Sequence, residues 1–249
     1  HEPAAELRRR HGNILFVRPQ GSAAGDQTPH RQVDTRAEDR MLRLKHGQGL
    51  SRGDNTALRL DLARRIADAF DDAEPFARKD LRQQVEISHV SLDLELAHWN
   101  VTEREYESAR KEIGDLDKTI ADLQATDPIG RALTSAQSRR GWCMRAINRY
   151  LSPPPFIPVE VNVMRLGDIG FVTAPFEYYL DFGDRIKGRS PAVQTFIMQL
   201  AAGGSYLATE RAAAGCSYGA VPASCRVAPA GGQTIVDRAV ETLQAMFPK

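Results

Sequence analysis

Three consecutive prolines, Pro153-Pro154-Pro155, divide this chain where its apolar residues change period. Proline lacks an amide hydrogen and its ring clashes with the preceding helical turn, so no helix crosses the run. On the N-terminal side, Tyr106, Ala109, Ile113, Leu116, Ile120 and Leu123 recur at alternating spacings of three and four, the repeat of a helix that buries one seam. Thr102 and Glu105 precede that seam in the arrangement of a capping box. A second helical stretch over about 129–151 completes a hairpin, so residues from about 102 to 151 are expected to form an inserted helical arm. On the C-terminal side Ile157, Val159, Val161 and Val163 alternate, Gly167-Asp168 supplies turn chemistry, and 169–173 resumes as strand. That pattern predicts a two-strand hairpin over 157–173.

The flanks alternate in the same way. Leu7 to His11 reads as the tail of a helix, and Asn13 to Val17, with the run Ile14-Leu15-Phe16-Val17, as a short buried strand. Residues 31–54 are polar, basic and glycine-containing, which predicts a long surface excursion. A helix is expected from about Asn55 to Phe70, with Leu58, Leu62, Ile66 and Phe70 four apart and Asp54 or Asn55 as its cap. Val85 and Ile87 alternate in one phase and Val90, Leu92, Leu94 and Leu96 in the other, so a bulge or turn is expected at Ser88-His89. Ala174-Pro175-Phe176-Glu177 leads into a helix over 178–187, a strand over 195–200 opens into 201–206, and a last helix spans about 233–246. Strands alternating with helices predict an α/β fold: a layered mixed sheet flanked by helices, interrupted by the helical hairpin.

Composition removes several classes of function. Lys and Arg number 33 against 32 acidic residues, a formal net charge of +1, so no global field recommends nucleic acid or an anionic membrane. Arg8-Arg9-Arg10 reads as a solvated helix face. No uninterrupted apolar run approaches the roughly 18 to 20 residues of a membrane span. Of three cysteines, Cys143 reads as a buried helical thiol, and the spacing of Cys216 and Cys225 leaves their pairing open. The chain begins at His1 without the layout of a signal peptide, which reads as an internal point of a longer chain and leaves secreted, periplasmic and cytoplasmic locations all open.

Chemistry concentrates in three loops that follow expected strands. Gly21-Ser22-Ala23-Ala24-Gly25-Asp26-Gln27-Thr28-Pro29 has almost no side-chain bulk, so its backbone can bend sharply and admit close approach, while Asp26 and Thr28 offer a carboxylate and a hydroxyl. The second loop carries Glu177 and the third, Gly203-Gly204-Ser205-Tyr206, a phenol. In open α/β sheets ligands collect beyond the carboxyl ends of the strands, so the three loops are expected to converge. A carboxylate and a phenol oxygen can bind a cation, and a nearby hydroxyl can act as nucleophile or hold a water. Nitrogen is the missing element: His1, His11, His30, His46, His89 and His98 contain no H-x-H or H-x-x-x-H pair.

These segments, in this order, resemble the neutral/alkaline non-lysosomal ceramidase family, particularly its bacterial members. Gly-Ser-Ala-Ala-Gly-Asp-Gln-Thr-Pro, Ala-Pro-Phe-Glu and Gly-Gly-Ser-Tyr-Leu-Ala-Thr-Glu-Arg-Ala carry the likeness, supported by Arg189-Ser190-Pro191 and by 228–233, and it runs from about Leu7 to the C-terminus. The resemblance implies the C-terminal portion of a zinc-dependent amidase domain spanning 1–249, in which Glu177 and Tyr206 bind zinc together with two histidines. It places Thr28 where the family has a catalytic serine and makes Asp26 the loop carboxylate; the extra methyl of threonine restricts its rotamers and crowds direct attack. The family's histidines belong to sequence preceding His1, so an N-terminal part of the same domain, or a companion chain, is the implied partner, and zinc is only partly held by this chain.

The function so implied is hydrolysis of an amide, such as a ceramide-like N-acyl sphingoid lipid, or of an ester, with Thr28 orienting water or the leaving group. The alternative is a catalytically silent binding or scaffold protein of the same fold, favoured by the serine-to-threonine change and opposed by retention of Glu177 and Tyr206. Phosphate or nucleotide binding is a third reading, weakened by the lack of Gly-Lys-Ser/Thr and of G-x-G-x-x-G. The helical hairpin leaves self-association open.

Overall fold

The computed structural model describes residues 2–28, 35–47 and 55–248. The chain divides into two compact units, His1–Gln20 with Thr28–Val85, and Gly21–Gln27 with Glu86–Lys249.

The first unit is helical. Helices α1 (Glu2–His11) and α2 (Thr35–His46) pack on α3 (Thr56–Ala77). Small residues on α3, Ala57, Ala63 and Ala67, are buried with Leu58, and Ala4, Leu7 and Leu42 fill the facing positions. Charge fixes the ends of these contacts: Arg10 reaches Asp68 and Asp71 at 2.7 and 2.6 Å, and buried Asp61 meets Arg65 at 2.7 Å and Lys45 at 3.3 Å.

The second unit is built on a four-stranded sheet of order β1-β2-β3-β5, with β1 (Ile87–Ala97), β2 (Phe156–Leu166), β3 (Ile169–Ala174) and β5 (Gln194–Gln199). Antiparallel pairing joins β1 to β2 from Ile87↔Leu166 to Ala97↔Phe156 and β2 to β3, whereas β3 and β5 run parallel. Gly167 closes the β2–β3 turn at φ 63°, a left-handed conformation that glycine adopts without a Cβ clash. A parallel pair needs a crossover, and α6 (Leu180–Arg189) supplies it. One sheet face, Leu92, Leu96, Val159, Val161, Val163, Val172 and Ile197, is buried with Phe182 and Ile186 of α6 and, beyond the short α7 (Glu210–Ala214), with Ile235, Val236, Ala239, Val240 and Leu243 of α8 (Pro229–Met246). No side chain fits at Gly232 in the first turn of α8: a Cβ there would lie 2.2 Å from the Phe182 ring.

Between β1 and β2 the chain makes the helical arm, α4 (Glu103–Thr126) and α5 (Arg131–Leu151). The capping box forms as its spacing predicts: Thr102 Oγ1 accepts from the Glu105 amide at 3.3 Å, and the Glu105 carboxylate accepts from the Thr102 amide at 2.8 Å. Ala109, Cys143 and Ala146 are buried, Tyr106 stacks on Tyr150 at 4.3 Å, and Arg139–Glu112 and Arg140–Asp117 ion pairs tie the two helices.

The fold is thus the α/β layered mixed sheet with an inserted hairpin that the sequence predicts, and several local readings are corrected. Ile14–Val17 is irregular: Ile14 and Phe16 are 98% and 82% exposed, and among the described residues no strand pairs with the segment. The polar excursion contains α2, nucleated by one buried leucine, Leu42; residues 31–34 and 48–54 lie outside the described residues, as does Asp54. Helix α3 runs on to Ala77, with Ile66 and Phe70 off its buried face, and Asn55 makes no side-chain cap bond. Strand β1 passes through Ser88-His89 without a bulge, its ladder to β2 unbroken; Ile87 is simply exposed, so the apparent change of phase was a change of environment. Helix α5 begins at Arg131, leaving Ile129 exposed, and α6 begins at Leu180 because Glu177–Tyr178 are strand. All three cysteines are free, Cys143 and Cys225 buried and Cys216 exposed. Among the described residues no helix is long and apolar enough to cross a membrane.

Candidate functional site

A second, two-stranded element sets the site. β4 (Glu177–Tyr178) pairs in parallel with β6 (Tyr206–Leu207), Glu177 opposite Tyr206 and Tyr178 opposite Leu207. Successive strand residues face opposite ways. Tyr178 and Leu207 are fully buried, which puts Glu177 and Tyr206 together on the opposite face, where both are half-buried.

The glycine- and alanine-rich segment closes on this pair although no strand precedes it. Gly25 N donates to Tyr178 O at 2.9 Å, and the Gln199 side-chain carbonyl accepts from both Ala24 N and Tyr178 N, at 3.2 and 3.1 Å. Asp26 Oδ1 accepts from the Leu180 amide at 2.8 Å, satisfying a donor that the first turn of α6 leaves without a helical partner. The approach tolerates no side chain: a Cβ on Gly25 would lie 2.2 Å from the Glu177 carbonyl oxygen. The third segment meets the second through Leu200 N to Phe176 O at 3.0 Å and Glu177 N to Ser205 O at 2.9 Å. It turns through left-handed residues, Leu200 at φ 57° and Ala202 at φ 68°, a conformation that costs free energy in any residue with a Cβ.

Asp26, Glu177 and Tyr206 are therefore brought to one place by main-chain bonds, as expected of converging loops. Thr28 is exposed and belongs to the helical unit. Burial pushes the Tyr206 phenol well above its ordinary range, and its hydrogen bond to the Glu177 carboxylate, with that group's charge, adds to the shift. Two tyrosines that sequence reasoning passed over complete the surroundings. Tyr218 stands edge-on to Tyr206 at 5.8 Å, and Tyr179 donates to the Tyr218 carbonyl at 2.6 Å. Burial pushes the Tyr179 hydroxyl up to about 12, helped by the charges of Cys225, Asp26 and Glu177. Gly219, at φ 77°, lies flat on the Tyr206 ring, where a Cβ would come within 2.9 Å of Cγ. The signal for Tyr218 was a tyrosine in a Gly-Cys-Ser-Tyr-Gly turn, which reads equally as loop; Gln199 gave no signal, being one polar residue at the end of a strand.

Glu177 and Tyr206 stand opposite one another on paired strands and offer a carboxylate and a phenol oxygen, the donor chemistry of a hard or borderline cation site. They do not close a coordination shell by themselves. Among the described residues no group of three or more His, Cys, Asp or Glu could hold a metal ion. His11 and His46 lie in the helical unit, His89 bonds Asn162 at 2.7 Å, and His98 is buried beside Asn100 at 3.3 Å; His1 and His30 fall outside the described residues.

No protein family's sequence profile matches the chain, and no curated protein matches it. Among solved structures, the crystal structure of neutral ceramidase from Pseudomonas aeruginosa is similar, with a TM-score of 0.47 and 16% sequence identity over 83% of this chain and 35% of that one. The chain thus spans 35% of the length of the structure it matches.

Proposed function

We propose that these residues supply the oxygen-donor half of a zinc-dependent hydrolase centre that cleaves an amide, of the ceramide-like N-acyl lipid class, or an ester. The observation that carries the reading is the Glu177–Tyr206 pair, held opposite one another by the parallel pairing of β4 and β6. The ordered sequence motifs that resemble ceramidases support it independently. Glu177 and Tyr206 would hold the metal, and two nitrogen ligands would come from an N-terminal part of the same domain or from a companion chain. Zinc bound there would polarise the scissile carbonyl and generate hydroxide near neutral pH.

The chain's own groups divide the remaining work. Tyr206, raised by burial and by Glu177, stays protonated at neutral pH without a cation, so the pair holds a proton that cation binding would displace. Asp26 is spent on the Leu180 amide and acts as a positioning residue, fixing the start of α6 against the loop. The resemblance alone puts Thr28 in the position of the family's catalytic serine. The test uses the longest natural chain containing these residues, assayed for zinc by elemental analysis and for hydrolysis of an N-acylsphingosine. Glu177→Gln and Tyr206→Phe should each lower metal affinity at least about tenfold and reduce turnover with it. Zinc content and turnover unchanged in both variants would overturn the reading, and a folded, zinc-free, inactive natural chain would assign the silent alternative.

A further inference from the structure

Beyond the candidate centre, the second unit contains a cavity of 480 Å³ at the base of the helical arm, within the size range of small-molecule sites. Its floor is apolar, formed by Val101, Ala109, Trp142, Ala146, Pro222 and Ala223. Its charged rim is unequally engaged. The Glu105 carboxylate takes both the amide and the hydroxyl of Thr102, at 2.8 and 2.7 Å, and Glu112 is bonded by Arg139. Arg139 in turn lies over the Trp142 ring at 4.1 Å. Arg104 alone among the four charged lining residues has no ion-pair or hydrogen-bond partner among the described residues. The exposed thiol of Cys216 completes the lining, at φ 50° on the segment that returns toward Tyr218.

We propose that this cavity is a binding site for a small amphipathic carboxylate, its apolar body on the Trp142–Ala146–Pro222 floor and its anionic group on Arg104. An apolar floor favours a hydrophobic body, and with Glu112 paired to Arg139 and the Glu105 oxygens turned to Thr102, the Arg104 guanidinium is the rim group left to donate charge-assisted hydrogen bonds to a carboxylate. The site does not depend on metal binding by Glu177 and Tyr206, yet it shares a wall with them. The segment from Cys216 to Cys225 is tied on the cavity side by Trp142 Nε1 to Ser224 Oγ at 3.2 Å and by Arg149 to the Cys225 carbonyl at 3.0 Å. On the other side the Ser224 carbonyl accepts from Tyr206 N at 3.3 Å, and the Tyr218 carbonyl accepts from Tyr179. A ligand in the cavity braces that wall and with it the tyrosines.

Cys216 is the reporter, since Cys143 and Cys225 are buried and serve as internal controls. The full chain is treated with iodoacetamide with and without 2-naphthoate, with 2-naphthalenemethanol as the uncharged comparison, and alkylation of each cysteine is followed by peptide mass mapping. Naphthoate should slow Cys216 alkylation at least about tenfold at saturation, and Arg104→Glu or Arg104→Gln should raise the half-protecting concentration about tenfold, the effect of one charge-assisted hydrogen bond. Hydrogen exchange of the amides over 216–225 should slow with naphthoate and not with the alcohol. Unchanged Cys216 alkylation at millimolar naphthoate, or equal protection by the alcohol and in the Arg104 variants, overturns the site; protection without slower exchange overturns the bracing of the wall.

Discussion

Gly25→Ala tests whether the small-residue loop is held where the structure puts it. A Cβ there would lie 2.2 Å from the Glu177 carbonyl oxygen and 2.5 Å from its carbon, both main-chain atoms that no rotamer change can move. Relief requires the loop to withdraw by roughly 1 Å, since a Cβ is not found within about 3 Å of such atoms. Three hydrogen bonds span the gap: Gly25 N to Tyr178 O at 2.9 Å, Ala24 N to Gln199 Oε1 at 3.2 Å, and Leu180 N to Asp26 Oδ1 at 2.8 Å. A neutral hydrogen bond contributes about 1 kcal/mol and one to a carboxylate about 1.5–3 kcal/mol. Losing two of the three, less about 0.4–1 kcal/mol for the stiffer unfolded chain, gives a net destabilisation of about 2–3 kcal/mol. Urea unfolding followed by tryptophan fluorescence reads the right unit, because Trp99 and Trp142 both lie in it. Gly114→Ala is the control: nothing lies within 4 Å of its Cβ position on α4, so it should stabilise by about 0.5–1 kcal/mol. A Gly25→Ala midpoint within about 0.5 kcal/mol of the parent would refute the docking of the loop on β4.

Three further outcomes follow from the same structure. Thr102→Ala removes both the acceptor for Glu105 N and a donor to the Glu105 carboxylate, and should cost about 1–2 kcal/mol in urea unfolding while leaving the helical content of α4 in the far-ultraviolet spectrum. Burial, opposed by the Asn100 hydrogen bond and aided by Arg149 and Arg226, holds His98 below the usual imidazole range. The unfolded chain then binds a proton near pH 6.5 that the folded one refuses, so stability should fall as pH drops below about 6.5, by at most about 1.4 kcal/mol per unit, until the folded pKa is reached. His98→Gln should flatten that limb of a stability–pH curve, and an unaltered slope would remove His98 as its cause. Titration with a chromogenic disulfide should find one reactive thiol in the folded chain and three after unfolding; a second fast thiol would contradict the burial of Cys143 and Cys225.

Where the period of the apolar residues was long and its ends were marked, the sequence was legible. The α4–α5 arm carries its own cap and a seam of six residues, and the β2–β3 hairpin is alternation plus a glycine turn, so local chemistry and tertiary packing agree there. Ile14–Val17 failed because four apolar residues say nothing about whether a partner strand is present, and α2 was hidden because one buried leucine supports a helix whose other faces are charged. The site was legible in part. Glu177 and Tyr206 were singled out by motif, but their adjacency arises from a two-residue strand pair too short to have a period. Gln199, which ties Ala24 to Tyr178, has no local signature because its role exists only once three distant segments meet.

The parallel pairing of β4 with β6 separates geometry from chemistry. Main-chain bonds and the buried Tyr178 and Leu207 fix where positions 177 and 206 stand. The element is a socket with two pins. A glutamate and a tyrosine occupy it in this chain, and the glycine at 219 leaves room for the flat face of the second of them.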